Sequence, residues 1–184
     1  MGRNWFALYV NGELVLEDPV SITTERSFNA ESVTFEASYP LTIAIEAKDF
    51  KETDSGIEYI GENNQQMGDG GLIAQVTDSA GAVVAATDGT WTSLVVHRAP
   101  LNTECETDPD PDATCLFEIV DTPADWSGES FDDSGWSTAT EWTEAEVSPR
   151  FGYDEVDWVS DARLIWGTDL EVDNTVLFRT TVAN

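Results

Sequence analysis

The sequence predicts an all-β protein, an antiparallel β-sandwich interrupted by two long loops. Three observations carry that expectation. Short alternations of apolar and polar residues recur along the chain, the period of a strand with one face buried. Clusters of Gly, Asp, Asn, Ser and Pro separate them, as tight turns require. No window of helical length has a clean 3.6-residue period; the stretch 141–148 has room for one helical turn.

The elements follow in order. "NWFALYVNGELVLED" holds two apolar runs around Asn11-Gly12, and Asn-Gly readily adopts the positive φ angles of a two-residue hairpin. "LTIAIEA" sets Leu41, Ile43 and Ile45 on one face and Thr42, Ala44 and Glu46 on the other. "LIAQV" and "AVVAA" flank the turn cluster "TDSAG", and "TWTSLVV", "LFEIV" and "TVLFRTT" continue the pattern. The loops cover 48–71 and 99–115. Loops of that length inside a compact domain are functional or pinned. No internal repeat and no linker-like shift in composition appears, so 1–184 reads as one domain.

Composition bounds the partners. Hydrophobic residues make up 41% of the chain, with seven Trp, eight Phe and four Tyr, enough for a packed core. Against 36 acidic residues stand 8 basic ones, a net charge of −28. Such a surface repels phosphate backbones and anionic lipid, which excludes nucleic acid and electrostatic membrane binding. Three origins of the acidity stay open: secretion into a saline setting, a load of divalent cations, or a well-solvated surface. No apolar run is long enough to span a bilayer.

Cys105 and Cys115 are the only cysteines and bracket "ETDPDPDAT". With one histidine in the chain, His97, a usual zinc set cannot form. A disulfide closing a short acidic loop is the better reading, over two free thiols, and it points to a secreted or cell-surface protein. "MGRNWFALYV" lacks the apolar segment and cleavage site of a signal peptide. The expectation is therefore a mature or excised piece of a longer exported protein.

"FDDSGW" (131–136) and "LYVNGELV" (8–15) resemble motifs of galactose-binding-like jelly rolls, the sugar-binding-type accessory domains of glycoside hydrolases. "LTIAIEAKD" (41–49), "GDGGLIAQV" (68–76), "ATDGTW" (86–91), "LIWG" (164–167) and "TVLFRTTV" (175–182) resemble further segments, some of the rhamnosidase-associated type. The order departs from the family, because the "FR" strand comes last. The resemblance implies a jelly roll with permuted motif order, in which strand 175–182 lies beside or close to strand 5–10. A strand completing a neighbouring copy, giving a swapped oligomer or filament, follows from the same geometry. Asp132 and Asp133 are expected to cap a turn, Phe131 and Trp136 to anchor it, and Trp5, Trp91, Trp136 and Trp166 to lie in the core. Arg179, opposite Phe178 on its strand, is expected to pair with a carboxylate.

For chemistry, carboxylates are too abundant for any pair to be singled out as a glycosidase couple. His97 reads as a structural strand-end residue, and "GDGG" lacks the Lys-Ser/Thr of a phosphate loop. The resemblance implies no catalytic residue, so the chain is read as a non-enzyme. Sugars lay their CH faces on aromatic rings and hydrogen-bond to carboxylates. That makes the loop residues Tyr59, Trp126, Trp142, Tyr153, Asp154, Asp157 and Trp158 the ligand-binding candidates, against ordinary packing of a loop over a sheet edge. Asp108, Asp110 and Asp112 alternate in "DPDPD" and are the candidate ligands of a structural calcium. The competing reading is a solvated acidic loop held by the disulfide. The functional expectation is a non-catalytic carbohydrate-recognition or adhesion module with a glycan or extracellular partner. Its alternative is a structural domain of a surface assembly without a small ligand.

Overall fold

The computed structural model describes residues 5–19, 30–150 and 152–183. Residues 1–4 and Phe151, which belong to stretches read above, lie outside the described residues. The strands are β1 (Trp5–Val10), β2 (Glu13–Glu17), β3 (Leu41–Lys48), β4 (Ile57–Glu58), β5 (Gln66–Met67), β6 (Gln75–Thr77) and β7 (Val83–Ala86). They continue as β8 (Thr92–Arg98), β9 (Glu118–Ile119), β10 (Ser137–Thr138), β11 (Thr140–Trp142), β12 (Leu164–Trp166) and β13 (Asp173–Val182). Two single helical turns are α1 (Pro111–Thr114) and α2 (Glu144–Val147). The second is closed by a capping box between Thr143 and Glu146.

The fold is an all-β sandwich of unequal layers. The larger layer is a seven-stranded antiparallel sheet in the order β10-β8-β13-β3-β1-β2, with β9 also paired to β8. Asn11 and Gly12, at φ of 51° and 86°, make the predicted two-residue turn, with Val10 opposite Glu13. The Asn11 side chain accepts a hydrogen bond from the Thr42 N–H at 2.7 Å and donates to the Ser38 carbonyl at 3.0 Å. It thereby fixes the incoming segment 31–39 against the hairpin. The late strand β13 lies between β3 and β8, one strand away from β1, so the chain's last strand fills the centre of its own sheet.

Alternation then dictates two buried faces. Phe6, Ile43, Ile45, Val176 and Phe178 point into the main core with Leu72, Trp91, Ile165 and Trp166. Each such fully buried side chain contributes roughly 1.5–3 kcal/mol of transfer free energy. The smaller layer on this side comprises the β11–β12 pair, a bridge from Leu72 to Ile165, and the β6–β7 hairpin. Trp166 is fully buried and donates its indole N–H to the Asp173 carbonyl at 2.7 Å. Gly70 lies flat on that ring: a Cβ there would stand 2.2 Å from it.

The opposite face carries Ala44, Val96 and Leu177 and is covered by the irregular stretch containing "FDDSGW". Trp126 is the lid, in edge contact with Tyr9 (5.5 Å) and stacked on Trp136 (6.3 Å), which meets Phe131 at 5.5 Å. Arg179, 2% exposed, rises from β13 into this cover. Its Nε donates to Asp133 Oδ2 at 3.1 Å, and its terminal nitrogens donate to the carbonyls of Trp126 and Gly128. The expected carboxylate partner is thus Asp133. Asp132, not Asp133, caps the turn with its side chain, accepting from the Ser134 N–H at 3.1 Å. Asp133 is occupied instead by Arg179 and the Thr92 hydroxyl, 2.7 Å away. Trp91 and Trp166 are core residues as expected, whereas Trp5 and Trp136 are half-buried.

Arg179→Met removes a donor from the carbonyls of Trp126 and Gly128 and from Asp133, which keeps the Thr92 hydroxyl, and should lower the urea-unfolding free energy by about 3 kcal/mol. Asp133→Asn should cost about 1 kcal/mol, because Asp133 is 31% exposed and water replaces part of the pair. A loss under about 1 kcal/mol for Arg179→Met would mean that the aromatic contacts alone hold the cover. Gly70→Ala drives a methyl into the Trp166 indole and should cost about 2 kcal/mol, read as a drop in Tm by circular dichroism.

Candidate functional site

The two long loops fold onto each other. Cys105 and Cys115 form a disulfide, and with Ile57, Ile60 and Met67 they make a small core beneath the β4–β5 hairpin. Gln65 donates to the carbonyls of Glu106 (2.6 Å) and Asp108 (2.8 Å), and Thr53 donates to Asp112. Two of the alternating aspartates make turn or loop contacts with their carboxylates. Asp108 accepts from the Asp110 N–H at 2.9 Å, and Asp112 holds Thr53. Asp108, Asp110 and Asp112, the expected calcium ligands, are not among the described acidic side chains close enough together to share a metal ion.

A different acidic set does converge. Asp49 follows β3, Glu58 lies on β4 and Asp69 follows β5. Their carboxylate oxygens lie within 4.8 Å of one another, a group that can hold a metal ion. Asp49 and Glu58 are buried and Asp69 is half-buried. Hydrogen bonds orient the set: Asp49 accepts from the N–H groups of Phe50 (2.9 Å) and Asp69 (2.6 Å), and Glu58 from the Gln66 amide (2.8 Å). Gly68 is required there, since a Cβ would lie 1.9 Å from Asp49 Oδ2. All the donors are hard oxygens, which suits a hard cation and not zinc or copper. Residues 49, 58 and 69 have no motif spacing, so only the Gly-rich "GDGG" beside Asp69 signalled a close backbone approach.

The aromatic candidates separate. Trp126 is 7% exposed beneath the cover, and Tyr59 is 8% exposed against Phe50. Neither offers a ring face to solvent: the small Ala44 leaves room that Trp126 fills, and the loop collapse encloses Tyr59. Trp142 is half-buried between two core clusters and donates to the Gly167 carbonyl at 3.1 Å. The remaining four stay together. Tyr153 and Trp158 stack at 6.0 Å, and Asp154 and Asp157 are exposed beside them. Trp158 donates to the Tyr153 carbonyl, while Gln75 clamps the backbone of Asp157 and Val159. The Tyr153 hydroxyl donates to Glu144 at 2.8 Å, and burial followed by that bond pushes its pKa up to about 12.

Trp158 lines a groove of about 750 Å³. Its floor is the sheet face at Phe6, Leu8, Ile43 and Ile45, and its walls are the segment 31–39 and the β6–β7 hairpin. Glu31, Glu36 and Asp78 are among its lining residues, as are Ser32, Thr34 and Ser38. An apolar floor with a few convergent polar groups is the usual form of a small-ligand site. The groove was not legible beforehand, because segment 31–39 has no strand pattern.

His97 is buried at the end of β8, stacked on Phe117 at 6.3 Å and 3.8 Å from Asp54. Burial, then the nearby Lys51 charge, holds its pKa below the ordinary 6.5. Comparison of the chain with protein families, curated proteins and solved structures finds no match.

Because the folded pKa of His97 is depressed, its share of stability is full above about pH 6.5 and is lost as pH falls through the folded value. Wild type should lose unfolding free energy between about pH 7.5 and 5.0 relative to His97→Gln, measured in parallel urea titrations. Equal pH slopes would mean that the imidazole is not desolvated.

Proposed function

We propose that this chain is a non-catalytic, extracellular carbohydrate-recognition or adhesion module of the galactose-binding-like type, taking a neutral glycan in the groove. The observation that carries this reading is the groove itself, an apolar-floored cleft whose lining residues include Trp158, acidic residues and Ser and Thr. Its size suits one or a few sugar rings. Glu31, Glu36 and Asp78, on a chain of charge −28, repel sulfated and uronic chains. The disulfide supports export, and among the described residues no helix is long and apolar enough to cross a membrane.

Calcium is the cation proposed for Asp49, Glu58 and Asp69, in a structural role. Binding there would tie the end of β3 to the β4–β5 hairpin. A second reading, a structural domain of an extracellular assembly without a small ligand, is favoured by an exposed apolar strand at the far edge of the sheet.

A glycan array with and without calcium tests the first reading, and Trp158→Ala should weaken any hit at least about tenfold by calorimetry. Silence in both arms sinks it and leaves the assembly reading. Calcium in hundredfold excess over its Kd should stabilise the fold by about 2.7 kcal/mol. Asp69→Asn should abolish most of that gain in thermal melts, whereas Asp110→Asn should leave it intact.

A further inference from the structure

Five of the nine large apolar side chains exposed among the described residues sit in one place: Leu101, Leu116, Phe117, Ile119 and Val120. Their exposures run from 42 to 61%, so the cluster is more than a scatter of single surface residues. It surrounds β9, which closes the outer side of β8 at the edge opposite to the groove. The Leu116 carbonyl accepts from Leu101 N–H at 2.8 Å and the Val120 N–H donates to Val96 at 2.9 Å. By the period of an antiparallel ladder, the backbone groups of the intervening odd residues, Phe117 and Ile119, point away from β8. Among the described residues no strand pairs with that outer edge.

We propose that the outer edge of β9 is a docking strand for an extended segment of a protein partner, alternately apolar and flanked by Lys or Arg. Backbone pairing supplies affinity in such strand addition, and side chains on each face supply selectivity. Phe117 and Ile119 flank one face with His97, and Leu116 and Val120 the other. Charge selects the partner. Glu118 lies at the centre of the strand and Asp121 just beyond it, both exposed. Arg98, in register with Glu118, is engaged by Asp173 at 2.8 Å. A second copy is disfavoured: two β9 edges paired antiparallel about their centres set Glu118 against Glu118, on chains of −28 each.

The probe is a pair of synthetic peptides, each with alternating valine and threonine, one between paired lysines and the other between paired aspartates. The lysine peptide should bind and slow hydrogen exchange at Phe117 and Ile119, with affinity falling as salt rises. Ile119→Pro removes an outward N–H without touching the bonds to β8, and should weaken binding at least about tenfold. Glu118→Lys, an exposed change that leaves the fold intact, should reverse the preference toward the aspartate peptide. Equal binding of both peptides, protection elsewhere in the chain, or a dimer mass by light scattering without peptide overturns the proposal.

Discussion

The buried guanidinium of Arg179 is the interaction on which the rest of the structure leans. Among the described residues β13 is the one strand that joins β3 to β8, and both faces of the sheet centre need a cover. One face is closed by regular elements with their own hydrogen bonds. The other is closed by an irregular stretch whose carbonyls have no ladder to join. Arg179 supplies donors to Trp126, Gly128 and Asp133 at once, which turns a loop into a layer. A hydrophobic replacement would fill the space but take a donor from each acceptor, leaving Gly128 with the Phe131 N–H and Asp133 with the Thr92 hydroxyl. The charge therefore serves to specify where the cover sits more than to add raw stability.

Covering both faces of the sheet leaves its edges and loop ends for function. The groove opens where segment 31–39 and the β6–β7 hairpin meet the β1–β3 side. The acidic set gathers at the end of β3, where the two long loops meet. The apolar strand β9 closes the other side.

Much of the fold was legible because it is local. The Asn11-Gly12 turn, the alternation in Leu41–Lys48 and the helical turn within 141–148 each rest on neighbours in sequence. The link between "FDDSGW" and Arg179 was half legible: the strand pattern led to the expectation of a carboxylate partner for Arg179 but could not choose among 36 acids. The sites were largely hidden. Asp108, Asp110 and Asp112 looked like ligands because alternation is visible, yet the loop turns between them and Asp108 and Asp112 bond to the Asp110 N–H and to Thr53. Asp49, Glu58 and Asp69 converge only once two loops have closed around a disulfide. Trp126 looked loop-borne and free, and tertiary packing over Ala44 overrode that.

Among the described residues, the two proposed surfaces lie on halves of the sheet that hydrogen-bond through β13 alone. Coupling between them would need an element with two arrangements that both sites bias. β13 offers none. Phe178 is fully enclosed on one face, Arg179 is held by three acceptors on the other, and Leu177 and Val176 are fully buried. A close-packed strand of this kind transmits no alternative packing, because its neighbours have no vacant space to shift into. Glycan in the groove and a partner strand on β9 are therefore expected to bind independently, as suits a module that holds one component with each side of a rigid sheet.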